Sequence, residues 1–121
     1  MEPKRMVILS TVDPKKDPEK VSMTFAIAVT SLASEVETEI FFTLDGVFTA
    51  LKDYVKGIDA HYYPPLPELM QAFIENGGKM FICQPSMINR NISEKNLIEG
   101  IAVVSAPSFV NDAVNASVLN L

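Results

Sequence analysis

The sequence predicts an α/β fold, a three-layer α/β/α sandwich on a five-stranded parallel sheet. Three observations point to it. Apolar runs of strand length alternate with helix-length segments along the whole chain. Proline, glycine and Asp-Pro or Asp-Gly pairs mark most of the boundaries between them. No internal repeat or low-complexity segment interrupts the alternation, which is the pattern of right-handed crossovers onto one sheet.

Each element has its own signal. Met6 to Val12 is an apolar run that stops at Asp13-Pro14 and reads as a buried first strand. Asp17-Pro18-Glu19 opens a helix, with Asp as N-cap, Pro at the first position and an acid in the first turn. Val21, Phe25, Ala28, Val29, Leu32 and Val36 recur there at helical spacing, while Met23 and Ile27 add apolar surface elsewhere. A helix apolar on more than one side is an expected self-association surface. Glu39 to Leu44 is the second strand, and Val47 to Lys56 a short amphipathic helix. A proline-bounded loop over 57–65 carries the only histidine, His61, beside Tyr62 and Tyr63. Leu66 to Glu75 is a helix with Leu69, Met70, Phe73 and Ile74 facing inward, stopped by Asn76-Gly77-Gly78. Lys79 to Cys83 is the third strand, broken at Pro85. A short helix over Ser86 to Arg90 ends at Asn91, a second short helix is capped by Ser93, and Gly100 turns into a fourth strand, Ile101 to Ser105. Pro107 starts the last helix, and Ala116 to Leu119 is the fifth strand.

A length of 121 residues fits one domain over 1–121. The hydrophobic fraction of 48% marks a chain with a buried core. A net charge of −5 argues against a general nucleic-acid binder, which needs a basic surface. One cysteine allows no internal disulfide, so nothing calls for an oxidising compartment. The apolar run behind Met1-Glu2-Pro3-Lys4-Arg5 is too short for a secretory leader. The longest uncharged stretch, Val21 to Ser34, falls short of the ~20 residues a membrane span takes. A cytoplasmic address, with no membrane partner, is the expectation.

Five strands favour the flavodoxin-like order 2-1-3-4-5, whose winding reverses between strands 1 and 3. Ligands of open α/β sheets collect beyond the carboxyl ends of the strands at that reversal. That order makes Cys83, at the end of strand 3, a neighbour of Ser10, Thr11, Lys15 and Lys16, which follow strand 1. A thiol reacts as its thiolate, which a helix start at Ser86 and the charges of Arg90, Lys15 and Lys16 would favour. The competing reading is a small buried core residue. His61 is a candidate acid or base, or a solvated loop residue. Asp45 is a candidate partner for a cation, or the turn residue of Asp-Gly. Glu68 and Glu75 read as a solvated helix side, and the six methionines as core filling. No Gly-rich nucleotide loop, Cys-x-x-Cys pair, zinc-ligand cluster or Gly-x-Ser-x-Gly elbow occurs, which argues against dinucleotide, dithiol-redox, zinc and serine-hydrolase readings. A Ser/Thr loop for flavin mononucleotide phosphate is the remaining cofactor alternative.

The stretch from Phe81 to Gly100 resembles the DsrE/DsrF-like family, which includes YchN-like proteins and the TusBCD sulfur-relay subunits. That family has a cysteine after the third strand, a small polar turn, an Arg-Gly-Ile/Val step, Ser/Thr-Glu and a leucine. Their counterparts are Cys83, Pro85-Ser86-Met87, Arg90-Asn91-Ile92, Ser93-Glu94 and Leu97. Phe42 to Val47 and Ala106 to Phe109 are also similar. Departures are Asn91 for the usual glycine and Gln84-Pro85 after the cysteine. The resemblance implies a homo-oligomer, commonly a trimer or hexamer, and a chemistry that needs no metal or organic cofactor. It also implies a Cys83 persulfide, stabilised by Ser86 and Arg90 and exchanged with donor and acceptor proteins, small thiols or polysulfides. The alternatives from other classes are a non-catalytic nucleotide, flavin or anion-binding module, and an oligomeric scaffold.

Overall fold

A computed structural model describes residues 4–121; the opening Met1-Glu2-Pro3, part of the leader argument, lies outside the described residues. Five strands form one parallel sheet: β1 (Arg5–Ser10), β2 (Glu37–Phe42), β3 (Lys79–Cys83), β4 (Ile101–Val104) and β5 (Ser117–Asn120). The helices are α1 (Pro18–Ala33), α2 (Leu66–Glu75), α3 (Gln84–Asn89) and α4 (Ala106–Ala113). The α/β fold on a five-stranded parallel sheet is thus as expected, but the strand order is not. It runs β4-β3-β2-β1-β5, so β2 lies between β1 and β3. The cause is visible in β2, where every residue from Thr38 to Phe42 is buried. Adjacent Phe41 and Phe42 point to opposite faces and both need cover, which an interior strand between two helix layers gives most fully.

This order sets the layers. The steps from β1 through β4 advance in one direction, so right-handed crossovers put α1, α2 and α3 on one face. The return from β4 to β5 puts α4 on the other. The first face holds the main core. Ile8, Ile40, Phe42, Met80 and Ile82 of the sheet pack against Val21 and Phe25 of α1 and Leu66, Leu69 and Phe73 of α2. The Phe25 ring meets Phe73 edge-on at 5.8 Å. Asp17 caps α1 as expected, its carboxylate accepting from the Lys20 N–H at 3.1 Å. Ile74, expected inside, is exposed.

Two expected helices are not helices of that kind. In place of an amphipathic helix over 47–56 there is a 3₁₀ segment, Leu44–Ala50, followed by turns. A tertiary bridge overrides the local periodicity. Leu51 pairs with Leu97, the Lys52 N–H donates to the Asn96 carbonyl at 2.9 Å, and the Ile98 N–H to the Ala50 carbonyl at 2.9 Å. The helix expected after Ser93 is a single 3₁₀ turn, Glu94–Asn96, with no side-chain cap. No described helix is long and apolar enough to cross a membrane.

The second face is thinner. Phe41 and Phe81 stack at 4.7 Å, and Phe109 of α4 stands edge-on to Phe41 at 5.2 Å. Beside them Glu39 is buried, its Oε1 accepting from Arg5 at 3.3 Å. Burial raises the Glu39 carboxyl pKa above 4.5, as do the hydrogen bond and negative charge of Asp112; Arg5 and Lys79 pull it back in part. Such a group keeps a proton in the folded chain that the unfolded chain releases, so stability declines as pH rises from 4.5 through the folded value. Glu39→Gln is therefore expected to raise the melting temperature near pH 8, with the gain shrinking toward pH 4 in calorimetric scans.

Candidate functional site

Cys83 is the last residue of β3 and the N-cap residue of α3, which starts at Gln84, two residues before the expected Ser86. The chain turns into the helix immediately behind the thiol because Pro85 is preset for a first helical turn. Cys83 lies in register with Val104 of β4 and is neither buried nor fully exposed. The observed order moves the reversal of winding. The connection after β3 leaves toward α3 on one face, and the connection after β4 leaves toward α4 on the other. The crevice therefore opens between the ends of β3 and β4, with Cys83 at its edge. A pocket of 210 Å³ occupies that place, lined chiefly by Leu9, Phe41, Pro85, Val104 and Phe109. Cys83, Thr43, Ser105 and Ala106 complete its lining.

Polar groups gather on one side of the sulfur. The buried Ser86 hydroxyl lies 3.2 Å from the Thr43 hydroxyl and accepts the Leu44 N–H at 2.9 Å. Arg90 donates from Nε to Asp45 at 2.9 Å and from Nη1 to the Ser86 carbonyl at 3.0 Å. Burial alone would raise the Cys83 pKa. The hydroxyl and backbone N–H of Ser86, the Thr43 hydroxyl and the charge of Arg90 together outweigh it and lower the pKa below 9.0. Leu44 sits at φ 52° with its side chain exposed, a backbone conformation that costs about 1–3 kcal/mol in a non-glycine residue. Its N–H on Ser86 is one of the contacts that hold it there. Ser86→Ala is expected to slow iodoacetamide alkylation of Cys83 at pH 7 several-fold. It also leaves the Leu44 N–H without its acceptor, and a loss of about 1–2 kcal/mol should show in a thermal melt.

The structure brings together Cys83, Ser86, Arg90 and Asp45. It does not bring Ser10, Thr11, Lys15 or Lys16 to the sulfur, because β2 lies between β1 and β3. The Ser10 hydroxyl is buried without a partner among the described residues, and its carbonyl reaches toward the site, accepting the Thr43 N–H at 3.1 Å. Thr11 lies beside Gly46, its nitrogen 3.1 Å from where a Cβ there would stand. The Lys15 ammonium sits 4.0 Å over the Tyr54 ring, and the Lys15 N–H donates to Asp13. Asp13 in turn accepts the Tyr54 hydroxyl at 2.9 Å, and burial with this bond pushes the phenol up to about 12. The Lys16 N–H bonds the Asp13 carbonyl, and its side chain is exposed. His61 is exposed, its ring 4.1 Å from Tyr62. Thr43 and Leu44 are the residues that sequence reasoning misses; their position just before Asp45-Gly46 at the end of an interior strand is the available signal. Among the described residues, no three His, Cys, Asp or Glu side chains are grouped to hold a metal.

Comparison with solved structures finds the same fold. The YchN protein from E. coli superimposes with a TM-score of 0.79 at 17% identity, over 98% of this chain and 99% of that one. MTH1491 from Methanobacterium thermoautotrophicum gives 0.76, also at 17% identity and with the same coverage. Among sequences, MJ0760 from Methanocaldococcus jannaschii is 34% identical over 77% of this chain, which spans about a third (34%) of that longer protein. MK0008 from Methanopyrus kandleri is 31% identical over 77% of this chain and 74% of its own length. The profile of the DsrE/DsrF-like family matches residues 4–120, from the start of β1 to the end of β5. This chain belongs to the DsrE/DsrF-like family.

Proposed function

We propose that the protein carries sulfane sulfur as a persulfide on Cys83. The observation that carries this reading is the environment of the only cysteine, whose pKa is lowered by Ser86, Thr43 and Arg90 at the mouth of the β3/β4 crevice. Membership of a family associated with sulfur relay supports it. In the loading step the Cys83 thiolate attacks the outer sulfur of a donor persulfide, R–S–SH. A Cys83 Sγ–S bond forms, the donor S–S bond breaks, and its electron pair leaves on the donor thiolate. Unloading reverses this: an acceptor thiolate takes the outer sulfur and Cys83 leaves as thiolate. The exchange is redox-neutral, and a lowered pKa makes Cys83 both available at neutral pH and a good leaving group.

The expected setting is a reducing cytoplasm, and the expected assembly a homo-oligomer, trimer or hexamer. Exposed Val110, Val114 and Val118 near the thin second face support association. Light scattering that finds only a monomer would remove that part of the proposal. The carrier reading is tested by intact-mass measurement through one cycle. Polysulfide should add one sulfur atom, and excess acceptor thiol should remove it. No gain, or a gain located away from Cys83, would contradict it. A second reading, a non-catalytic binding module, draws on the apolar pocket. It predicts ligand-induced thermal stabilisation in a variant that cannot load sulfur.

A further inference from the structure

We propose that the pocket behind Cys83 holds the organic part of the sulfur substrate, and that this part is uncharged, apolar and about the size of one aromatic ring or a short branched alkyl chain. The proposal rests on the carrier reading and names its substrate class: low-molecular-mass hydropersulfides or thiols with an apolar body. Three features of the pocket support it.

Size is the first. An apolar cavity of about 150 Å³ admits benzene, so 210 Å³ takes one ring with a short arm that reaches the sulfur. Polarity is the second. The apolar lining is Leu9, Phe41, Pro85, Val104 and Phe109, with Ser105 and Thr43 as its polar residues, and the hydroxyls of Thr43 and Ser86 lie by the Cys83 sulfur. A ligand with a sulfur terminus and an apolar body matches a mostly apolar pocket whose sulfur-side groups are hydroxyls. Charge is the third. Among the described residues, no Lys, Arg, His, Asp or Glu lines the pocket. Arg90, whose charge acts on Cys83, is already bonded to Asp45 and to the Ser86 carbonyl. Lys15 is engaged over Tyr54, away from the crevice. A carboxylate or sulfonate on the substrate would lose water in the pocket and gain no counter-charge.

Methanethiosulfonate reagents test this, since the Cys83 thiolate attacks their sulfenyl sulfur as it would a donor's, and a sulfinate leaves. Benzyl, sulfonatoethyl and aminoethyl reagents are compared, each rate divided by that of a free small thiol. The benzyl reagent is expected to show an advantage of about tenfold or more over both charged ones, as burial of a ring predicts. Ala106→Phe, which adds a ring at a residue that lines the pocket, should remove that advantage and spare the charged reagents. With the unaltered protein, benzyl alcohol should slow only the benzyl reagent. Equal normalised rates, or a benzyl advantage that survives both the substitution and the competitor, would overturn this proposal alone. Reaction with none of the three would overturn the carrier reading as well.

Discussion

Cys83→Ser is expected to abolish sulfur uptake completely while leaving the fold in place. The loss is complete because the chain has no second cysteine to accept or resolve the sulfur. The fold is spared because Cys83 is only partly buried and lies outside the main core cluster. A serine at an N-cap position is, if anything, favourable to α3. The melting temperature should stay within a few degrees of the parent, roughly the scale of a sub-kcal/mol change in a domain this size. Intact mass after polysulfide treatment and a thermal melt on the same sample check both halves. A variant that still gains sulfur would place the chemistry elsewhere.

Gly46→Ala is expected to be the most damaging small substitution near the site. A Cβ there would run into the Ser10 carbonyl, and would come within 2.6 Å of the carbonyl carbon and 3.1 Å of the Thr11 nitrogen. These are backbone atoms at the end of β1, and the same carbonyl already accepts the Thr43 N–H. Neither partner can swing aside as a side chain can. Over-packing of this kind costs about 1–3 kcal/mol, which is roughly a 5–15 °C fall in melting temperature for a small domain. The strain falls on the Thr43–Leu44 turn, which holds hydroxyl and N–H partners for Ser86. Cys83 should therefore also lose part of its thiolate stabilisation, and alkylate more slowly at pH 7. Normal stability with normal alkylation would show that Gly46 does not brace the site.

How much of this is legible in the sequence differs by level. The elements are legible where punctuation is strong. Leu66–Glu75, between Pro65 and Asn76-Gly77-Gly78, and Lys79–Cys83, ahead of Pro85, have their expected bounds. The strand order is not legible from alternation alone, because it depends on which runs pair in three dimensions. The one local clue is Phe41-Phe42, two large rings on opposite faces of a strand. The place of the lysines depends on the same order. Lys15 and Lys16 follow β1 as expected, but β1 does not adjoin β3. Cys83 keeps its place at a crevice under either order, because it ends a strand whose connection leaves on the opposite face from its neighbour's. Ser86, Arg90 and Asp45 are legible as candidates because they follow strand ends. Thr43 and Leu44 are not, since their turn is shaped by Gly46 pressing on a strand distant in sequence.

The chemistry of the site centres on a thiolate stabilised by Ser86, Thr43 and Arg90. Because the protein has one sulfhydryl, its thiolate can be titrated directly through the pH dependence of iodoacetamide alkylation. The predicted midpoint lies below the ordinary 9.0, and Arg90→Met should move it upward. A midpoint at or above 9.0 in the unaltered protein, or a thiol that does not react at any pH, would contradict the account.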